Sequence, residues 1–534
     1  MLEINYNNIM ENSNFSKACR EISQSLLEIS KPTKNHTKSE IKRICAKYSL
    51  DKIPKNYEIL STVNGKSYEK LQGILLKKPV KTASGVAVIT LMPKPYACPH
   101  GRCTYCPGGI EFNTPNSYTG KEPVTISAIE NEYNANVLIS SKLNQLRLFG
   151  HDTTKVELII VGGTFLFMPK DYQENFIKSC YDALNGFPSP TLEVAMKNNQ
   201  KAKNRNVGFT IETKPDYCKK EHVDLMLSYG VTRVEIGVQS LHERVYKIVN
   251  RGHSYADVTD SFQISKDSGY KIVAHMMPGL PSMTPKEDIK DFKKLFNDSN
   301  LKPDMLKIYP SLVLENTQLY EDYLEKKYKP YTDDEMLHVL TEAKKMIPKW
   351  IRIMRIQREI TPNEIHAGPK LGNLRQIVHK QLKNEGFSCK CIRCREAGLS
   401  RKNTPSEFLK LNREGYDSSG GKEIFISFED DDETIYGFLR LRKPSELSHR
   451  DEITQNSCIV RELHVFGKSI KIGKREENSI QHSGLGRKLM CEAEKISRED
   501  FDARKLLVIS AIGTREYYKK LGYSLDGPYM SKQL

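Results

Sequence analysis

Between residues 81 and 340, short apolar runs rich in β-branched residues alternate with helical patterns. The runs are "GVAVITLMPKP", "KVELIIVGGTF", "VGFTIETKP", "VTRVEIGVQS", "YKIVAHMMPGLP" and "DMLKIYPSLV". Most are separated by stretches of helical period, such as "SAIENEYNANVLISSKLNQLRLFG", "KDYQENFIKSCYDALNGF", "EHVDLMLSYG" and "YADVTDSFQISKDSGY". Strand–helix alternation sustained this far predicts a parallel sheet with crossover helices. Six or so repeats predict a full or partial (β/α) barrel. Chemistry in such barrels gathers at the C-terminal ends of the strands.

The chain has 534 residues, more than one hydrophobic core accommodates. Four segments are expected. Residues 1–80 are basic and helical; "SKACREISQSLLEISK" sets Ala18, Ile22, Leu26 and Leu27 on one face. Residues 81–340 form the barrel. Residues 341–415 are a basic linker. Residues 416–534 form a second α/β domain, with strands in "IFISFED", "TIYGFLRLRK", "CIVRELHVFG" and "KLLVISAIG" and helices in "GLGRKLMCEAEKISRED" and "TREYYKKLG".

Apolar residues make up 38% of the chain and charged residues 28%, as in ordinary globular proteins. No run of about 18 apolar residues is present, so no membrane span is expected. The start, "MLEINYNNIMENSNF", lacks the basic and apolar regions of a secretory signal. A cytoplasmic location follows as the expectation. The twelve cysteines are then mostly reduced, and clustered ones read as metal ligands.

The net charge is +16. Residues 1–80 carry 14 Lys/Arg against 8 Asp/Glu, and residues 341–415 carry 17 against 7. These segments hold the whole excess. Localised positive charge is the footprint of a polyanion partner such as a nucleic acid. Solvated surface charge is the simpler alternative for any one residue.

"YACPHGRCTYCPGG" places Cys98, Cys103 and Cys106 within nine residues, just after the first predicted strand. Structural zinc sites close with four protein ligands. Three thiolates with one position open suit an iron–sulfur cluster whose unique iron binds a small molecule. A zinc loop completed by His100 is the other reading. Pro107, Gly108 and Gly109 let the backbone pass close to a cluster. Downstream, Gly162 and Gly163 end one strand, where backbone approaches a ligand's amino and carboxylate groups. Glu212 and Gln239 end later strands, within reach of ribose hydroxyls or a methionyl group. In series after a three-cysteine loop, these motifs resemble the radical S-adenosylmethionine enzymes. The resemblance implies a [4Fe-4S] cluster, S-adenosyl-L-methionine and a 5′-deoxyadenosyl radical that abstracts hydrogen.

Near the C-terminus, "QHSGLGRKL" sets Gly484 and Gly486 before a helix, beside Arg487 and Lys488. Successive N–H groups at a helix N-terminus cradle a pyrophosphate. Followed by "VISAIGTREYYKKLGY", the loop resembles the acetyl-CoA-binding fold of GNAT acetyltransferases. A late tyrosine there commonly meets the thioester sulfur. Tyr517 and Tyr518 are the candidates, with core packing as the alternative for either.

The stretches "CPHGRCTYCPGG", "NSYTGKEP", "GGTF", "TIETKPDYC", "GVQS", "ELHVFG" and "GTREYYKKLGY" together closely resemble the family of Elongator catalytic subunits. That resemblance covers residues 80–534 and, more loosely, the basic start. It implies a tRNA carboxymethyluridine synthase. Such an enzyme uses acetyl-CoA and a deoxyadenosyl radical to install a carboxymethyl group at C5 of the wobble uridine. In the implied relay, hydrogen leaves the acetyl methyl group, the carbon adds to C5, and the thioester is hydrolysed. The alternative is a protein or histone lysine acetyltransferase with a structural iron–sulfur domain.

The resemblance makes Cys98, Cys103 and Cys106 the cluster ligands. It matches Lys155, Glu462, Leu463, His464, Val465, Leu485, Gly486, Arg487 and Tyr518 to positions of acetyl-CoA contact, with Lys155, Tyr517 and Tyr518 as catalytic candidates. The four-residue gap between the first two cysteines is the prokaryotic form, pointing to a stand-alone enzyme. Elongator-type accessory subunits and an electron donor complete the partners implied. A second cluster, Cys389, Cys391 and Cys394, suits structural zinc, with His366, His379 or water as the fourth ligand. It would organise Arg393, Arg395, Arg401 and Lys402 for phosphates. Arg352, Arg355 and Arg358, with Lys42, Arg43 and Lys47, are further candidates for phosphate contact with tRNA.

Overall fold

A computed structural model describes residues 13–75, 85–149, 151–398, 409–466 and 484–534. The chain divides into two compact units, residues 1–83 with 140–153, and residues 84–139 with 154–534. In the first, helices Asn14–Glu28, Lys34–Lys47, Asn56–Leu60 and Gly65–Leu75 bury Ala18, Ile22, Leu26, Ile44 and Leu71 against one another. Leu27 is only partly buried at the edge of that core. Ser13 caps the first helix through its hydroxyl, and Thr33 the second.

The second unit begins with an open parallel sheet of seven strands. They are β1 (Ala87–Leu91), β2 (Lys155–Ile160), β3 (Arg205–Thr213), β4 (Arg233–Gln239), β5 (Lys271–Met276), β6 (Met305–Ile308) and β8 (Arg352–Ile356). Each pairs with the next in parallel register, the partial barrel expected. β7 (Val313–Leu314) pairs with β9 (Ile365–Ala367) outside that sheet. The crossover helices are well capped: Ser254 and Asp257 form a capping box, as do Thr284 and Glu287. The long pattern after residue 126 is two helices, Pro123–Glu130 and Ala135–Leu148. Glu132 and Tyr133 between them take left-handed φ of 51° and 56°, which no helix continues through.

The barrel does not stop at residue 340. Arg352–Ile356 is its last strand, with Ile353 and Ile356 buried, so the basic "linker" starts as a sheet edge. The second sheet likewise starts earlier than residue 416. It comprises β10 (Lys410–Ser418), β11 (Gly421–Glu429), β12 (Ile435–Lys443), β13 (Ser457–Val465), β14 (Lys505–Val508), β15 (Ser524–Asp526) and β16 (Tyr529–Gln533). Its strand order is β10-β11-β12-β13-β14-β16-β15, antiparallel except for the β13–β14 pair. The helix Leu485–Glu499 packs Leu485, Leu489, Ala493 and Ile496 into the core of this α/β fold.

Both sheets belong to one compact unit, and buried ions join them. Arg442 donates to Asp267 at 2.6 Å and to Glu423 at 2.9 Å, all three out of contact with solvent. Arg440, paired with Glu462 at 2.8 Å within the second sheet, reaches across to the Asp304 carboxylate at 3.6 Å and the Trp350 carbonyl at 2.6 Å.

Candidate active site

The C-terminal ends of the barrel strands open on a cavity of about 320 Å³. Cys98, Cys103 and Cys106 line it, with Gly163, Glu212 and Gln239. Strand alternation explains the selection. Along β3, Gly208 and Thr210 turn inward near the foot, and Glu212 points inward at the top.

Gly162 and Gly163 follow β2 with φ of 121° and 104°, conformations that favour glycine. A Cβ on Gly162 would lie 3.2 Å from the Pro115 ring. Its N–H donates to Glu212 at 3.2 Å, so the two motifs meet. Gln239 has φ of 69° at a register shift in β4, which aims its side chain into the cavity. Its Oε1 is buried with no hydrogen-bond partner, a vacancy a ligand donor would fill. Gly108 is a site of close approach, since a Cβ there would lie 2.3 Å from the Tyr118 carbonyl.

The three loop thiols are not gathered as one zinc ion would gather them. A tetrahedral zinc with 2.3 Å bonds brings its sulfurs to about 3.8 Å of each other. Among the described residues, the group of metal-ligand type packed within 4.8 Å is Cys389, Cys391 and Cys394. His100 is engaged at both ring nitrogens. Its Nε2 meets Cys103 Sγ at 3.2 Å and its Nδ1 meets Lys214 Nζ at 3.0 Å. A buried guanidinium, Arg251, lies beside Cys103 at 3.7 Å. Contact with Cys106, then His100 and Arg251, hold the Cys103 thiol well below the usual range. Spaced thiols, a ready anion and surrounding cations fit an iron–sulfur cluster.

Below the loop, the barrel holds an ion chain that sequence reading does not find. His275 Nε2 lies 2.9 Å from Glu235 and its Nδ1 3.4 Å from Glu212. Lys307 also bonds Glu235. Burial alone would raise Glu235; Lys307 and His275 hold it far below the carboxylate range. These residues alternate along separate strands, and no local signal joins them.

A smaller cavity, about 140 Å³, lies at the opposite ends of the strands. β13 and β14 pair only from Ser457/Lys505 to Val460/Val508 and then part. Glu462, Leu463, His464 and Tyr518 line this opening, facing Glu157, Arg233 and Lys271 from the barrel. Lys271 is pushed down to about 8 by burial. Lys155 stands two residues before Glu157 on the same strand face, outside the lining. Val465 is likewise outside it. Tyr518 is buried in the domain core and also reaches the cavity, whereas Tyr517 is 40% exposed. A Cβ on Gly486 would lie 2.9 Å from the Tyr517 hydroxyl. Gly484, Leu485, Gly486 and Arg487 start the helix Leu485–Glu499; Gln481 to Ser483 lie outside the described residues.

The second thiol cluster is compact. Cys391 and Cys394 sulfurs are 3.4 Å apart, and His379 Nε2 is 3.6 Å from Cys394. His366 is not with them; it pairs with Glu315 at 3.0 Å. Buried Lys344 donates to His379 at 2.9 Å. The phosphate candidates sort differently than expected. Arg352 is spent on buried Glu396, and Arg395 on Glu429 at 3.0 Å and on three backbone carbonyls. Arg355 and Arg358 line the large cavity, and Arg358 also bonds the Ser117 carbonyl. Arg43 pairs with Glu40 and Lys47 with Glu21 on exposed helix faces. Lys42 is exposed on the same helix, and Arg393 half-buried. Arg401 and Lys402 fall outside the described residues.

Residues 92–296 match the Radical SAM superfamily, 303–384 the Radical SAM C-terminal domain, and 15–83 the ELP3 N-terminal domain. A tRNA uridine(34) acetyltransferase of Methanocaldococcus infernus is 46% identical over 490 residues, 90% of this chain and 92% of the relative. The chain belongs to the Elongator complex protein 3 family. The human Elongator complex protein 3 is 40% identical, over 96% of both chains. The structure of Methanocaldococcus infernus Elp3 lacking residues 1–46 aligns with a TM-score of 0.75 at 42% identity, covering 84% of this chain and all of that one. As a family member the chain is a radical S-adenosylmethionine protein, with the barrel and the acetyltransferase-like sheet the family implies. Among the described residues no helix is long and apolar enough to cross a membrane.

Proposed function

We propose that this protein is an acyltransferase that modifies tRNA, installing a carboxymethyl group at C5 of the wobble uridine from acetyl-CoA. Relatives named tRNA uridine(34) acetyltransferase support the tRNA substrate. The observation that carries the finer reading is the pair of cavities. One compact unit holds a three-thiol chamber at one end of a barrel and a splayed-strand chamber at the other.

Cys98, Cys103 and Cys106 would hold the [4Fe-4S] cluster. Gly162, Gly163, Glu212 and Gln239 would hold S-adenosylmethionine. Bound there, the two supply, with one electron from a donor, a carbon radical able to take hydrogen from an acetyl methyl group. Glu462 to Val465, and Gly484 to Arg487, would bind acetyl-CoA, with N–H groups at the helix start receiving the pyrophosphate. Tyr518 lines the opening where the strands part and would donate to the thioester. Lys155, two residues before Glu157, and Tyr517, beside Gly486, would act from outside that lining. Arg355 and Arg358 at the barrel mouth would meet phosphates while the target base leaves its stack. Cys389, Cys391 and Cys394 would hold a structural zinc, completed by His379.

The test is anaerobic reconstitution with iron and sulfide, then turnover with tRNA, acetyl-CoA, S-adenosylmethionine and dithionite. Mass spectrometry of the nucleosides should show carboxymethyluridine with wild-type protein and none with Cys103→Ser. Full activity of Cys103→Ser would sink the radical reading. Acetyl-CoA hydrolysis triggered by histone peptides rather than tRNA would favour protein acetylation.

A further inference from the structure

The segment after the helix Glu243–Ile248 clamps the cysteine loop. Thr104 N–H donates to the Val249 carbonyl at 3.1 Å, and Asn250 Nδ2 to the Arg102 carbonyl at 3.0 Å. A Cβ on Gly252 would lie 2.4 Å from His100 Cβ, so the His100 stem rests directly on this segment. Arg251, between them, is 9% exposed. Its Nη2 donates to the Gly237 carbonyl at 2.9 Å, its Nη1 faces Cys103 Sγ at 3.7 Å, and its Nε is buried without a partner. Among the described residues it makes no ion pair with a carboxylate. A buried guanidinium left unpaired is costly, so it calls for an anion. Among the described residues, the group beside it that can carry negative charge is the Cys103 thiol.

A second cation reaches the same sulfur indirectly. Lys214, 3% exposed, is held by Asp216 at 3.1 Å and donates to His100 Nδ1 at 3.0 Å. An ammonium only donates, so Nδ1 must accept and the ring proton sits on Nε2. Nε2 then donates to Cys103 Sγ at 3.2 Å. One of the three cysteine sulfurs thus receives two donors, each backed by positive charge.

We propose that Arg251 and the Lys214–His100 pair raise the reduction potential of the cluster held through Cys103. Net charge and hydrogen bonds to sulfur are what tune such clusters. The step is the passage of one electron from a low-potential reductant into the cluster, from the 2+ to the 1+ state. No bond forms or breaks and no proton moves. Donors to sulfur favour the more negative, reduced state.

The inference rests on reading Cys98, Cys103 and Cys106 as cluster ligands, and the experiment separates the two. Full-length protein is reconstituted anaerobically, iron and sulfide per chain are counted, and the cluster is titrated with dithionite under EPR without S-adenosylmethionine. A wild-type chain that takes up no cluster overturns the reading of the cysteines. Given a loaded wild type, Arg251→Gln should lower the equilibrium for electron uptake at least tenfold, which is 59 mV for one electron. Lys214→Met should shift it the same way by less, and Arg251→Lys should recover part of the loss. Loaded Arg251→Gln and Lys214→Met clusters titrating with the wild type would overturn the inference. If Arg251→Gln holds no cluster, Lys214→Met and His100→Asn decide it by the same measure.

Discussion

Arg461, in β13 of the second sheet, donates to both carboxylate oxygens of Asp304 at the foot of β6, at 2.7 and 2.5 Å. Both side chains are fully buried, and Glu423 accepts from the same guanidinium at 2.9 Å. The barrel and the acetyltransferase-like sheet are therefore joined by ions out of reach of water. Asp304→Ala would remove two of the five hydrogen bonds of buried Arg461 and the carboxylate beside Arg440, leaving Arg440 its bond to the backbone carbonyl of that position. A loss of about 3–5 kcal/mol is expected, read as a lower urea midpoint. An unchanged midpoint would mean that the interface is not held by this pair.

The same network carries a pH signature. Burial lowers Lys266 to about 7, against the upward pull of Asp304 and Glu423. The unfolded lysine titrates near 10.4. Between pH 7 and about 10 the unfolded chain binds the extra proton, so stability rises with pH across that window. The slope belonging to Lys266 is about 1.4 kcal/mol per pH unit. Urea melts of Lys266→Met should lack that slope, while below pH 7 the two proteins should run parallel.

Much of this site is local and could be read from residue order. The cysteine spacing, the glycine pair after β2 and Glu212 each mark a strand end. What could not be read is held by partners far away in sequence. Arg352 stands in an Arg-rich stretch that suggests phosphate, but Glu396, forty-four residues on, takes its charge. The same stretch hid β8, because a strand edged with arginines lacks the apolar run that marks its neighbours. Arg251, Lys214, His275 and Lys307 come from four different segments, and only the barrel's curvature turns them toward one chamber. Lys155 shows the converse: its strand is legible in the sequence, but Glu157, two residues on, takes the place in the cavity wall.

Tyr518 lets packing be separated from chemistry. Its ring lies in the core, so Tyr518→Phe keeps the apolar contacts and should change stability by less than about 1 kcal/mol. If its hydroxyl serves the thioester, tRNA-stimulated acetyl-CoA hydrolysis should fall about tenfold to a hundredfold in kcat with KM little altered. Wild-type kcat in a well-folded Tyr518→Phe would remove the hydroxyl from the mechanism.

The compact thiol group makes a prediction about metal content. If Cys389, Cys391 and Cys394 hold zinc as proposed, Cys391→Ser should lower bound zinc from one per chain to none, measured by plasma emission on protein purified without added metal. Iron per reconstituted chain should stay at the wild-type value, since the loop cysteines belong to the other chamber. The melting temperature should drop, because a structural zinc contributes folding energy. A Cys391→Ser protein retaining full zinc would show that the metal, if any, sits elsewhere.

Arg355 and Arg352 share a strand but should fail differently. Arg355 is 45% exposed on its side chain, lines the three-thiol cavity and, among the described residues, forms a surface pair with Glu359 at 2.9 Å. Such a pair contributes at most about 1 kcal/mol, so a phosphate can compete for the guanidinium. Arg352 instead closes a two-bond contact with Glu396, which is 7% exposed. Arg355→Ala should weaken tRNA binding and reduce the slope of log Kobs against log salt by about 0.7–0.9, the share of one phosphate contact. Arg352→Ala should leave that slope unchanged and cost stability, about 3 kcal/mol, by stranding the Glu396 carboxylate. Filter binding across a salt series, paired with urea melts of both variants, reads the two outcomes independently. A reduced slope in Arg352→Ala, or none in Arg355→Ala, would reverse the assignment.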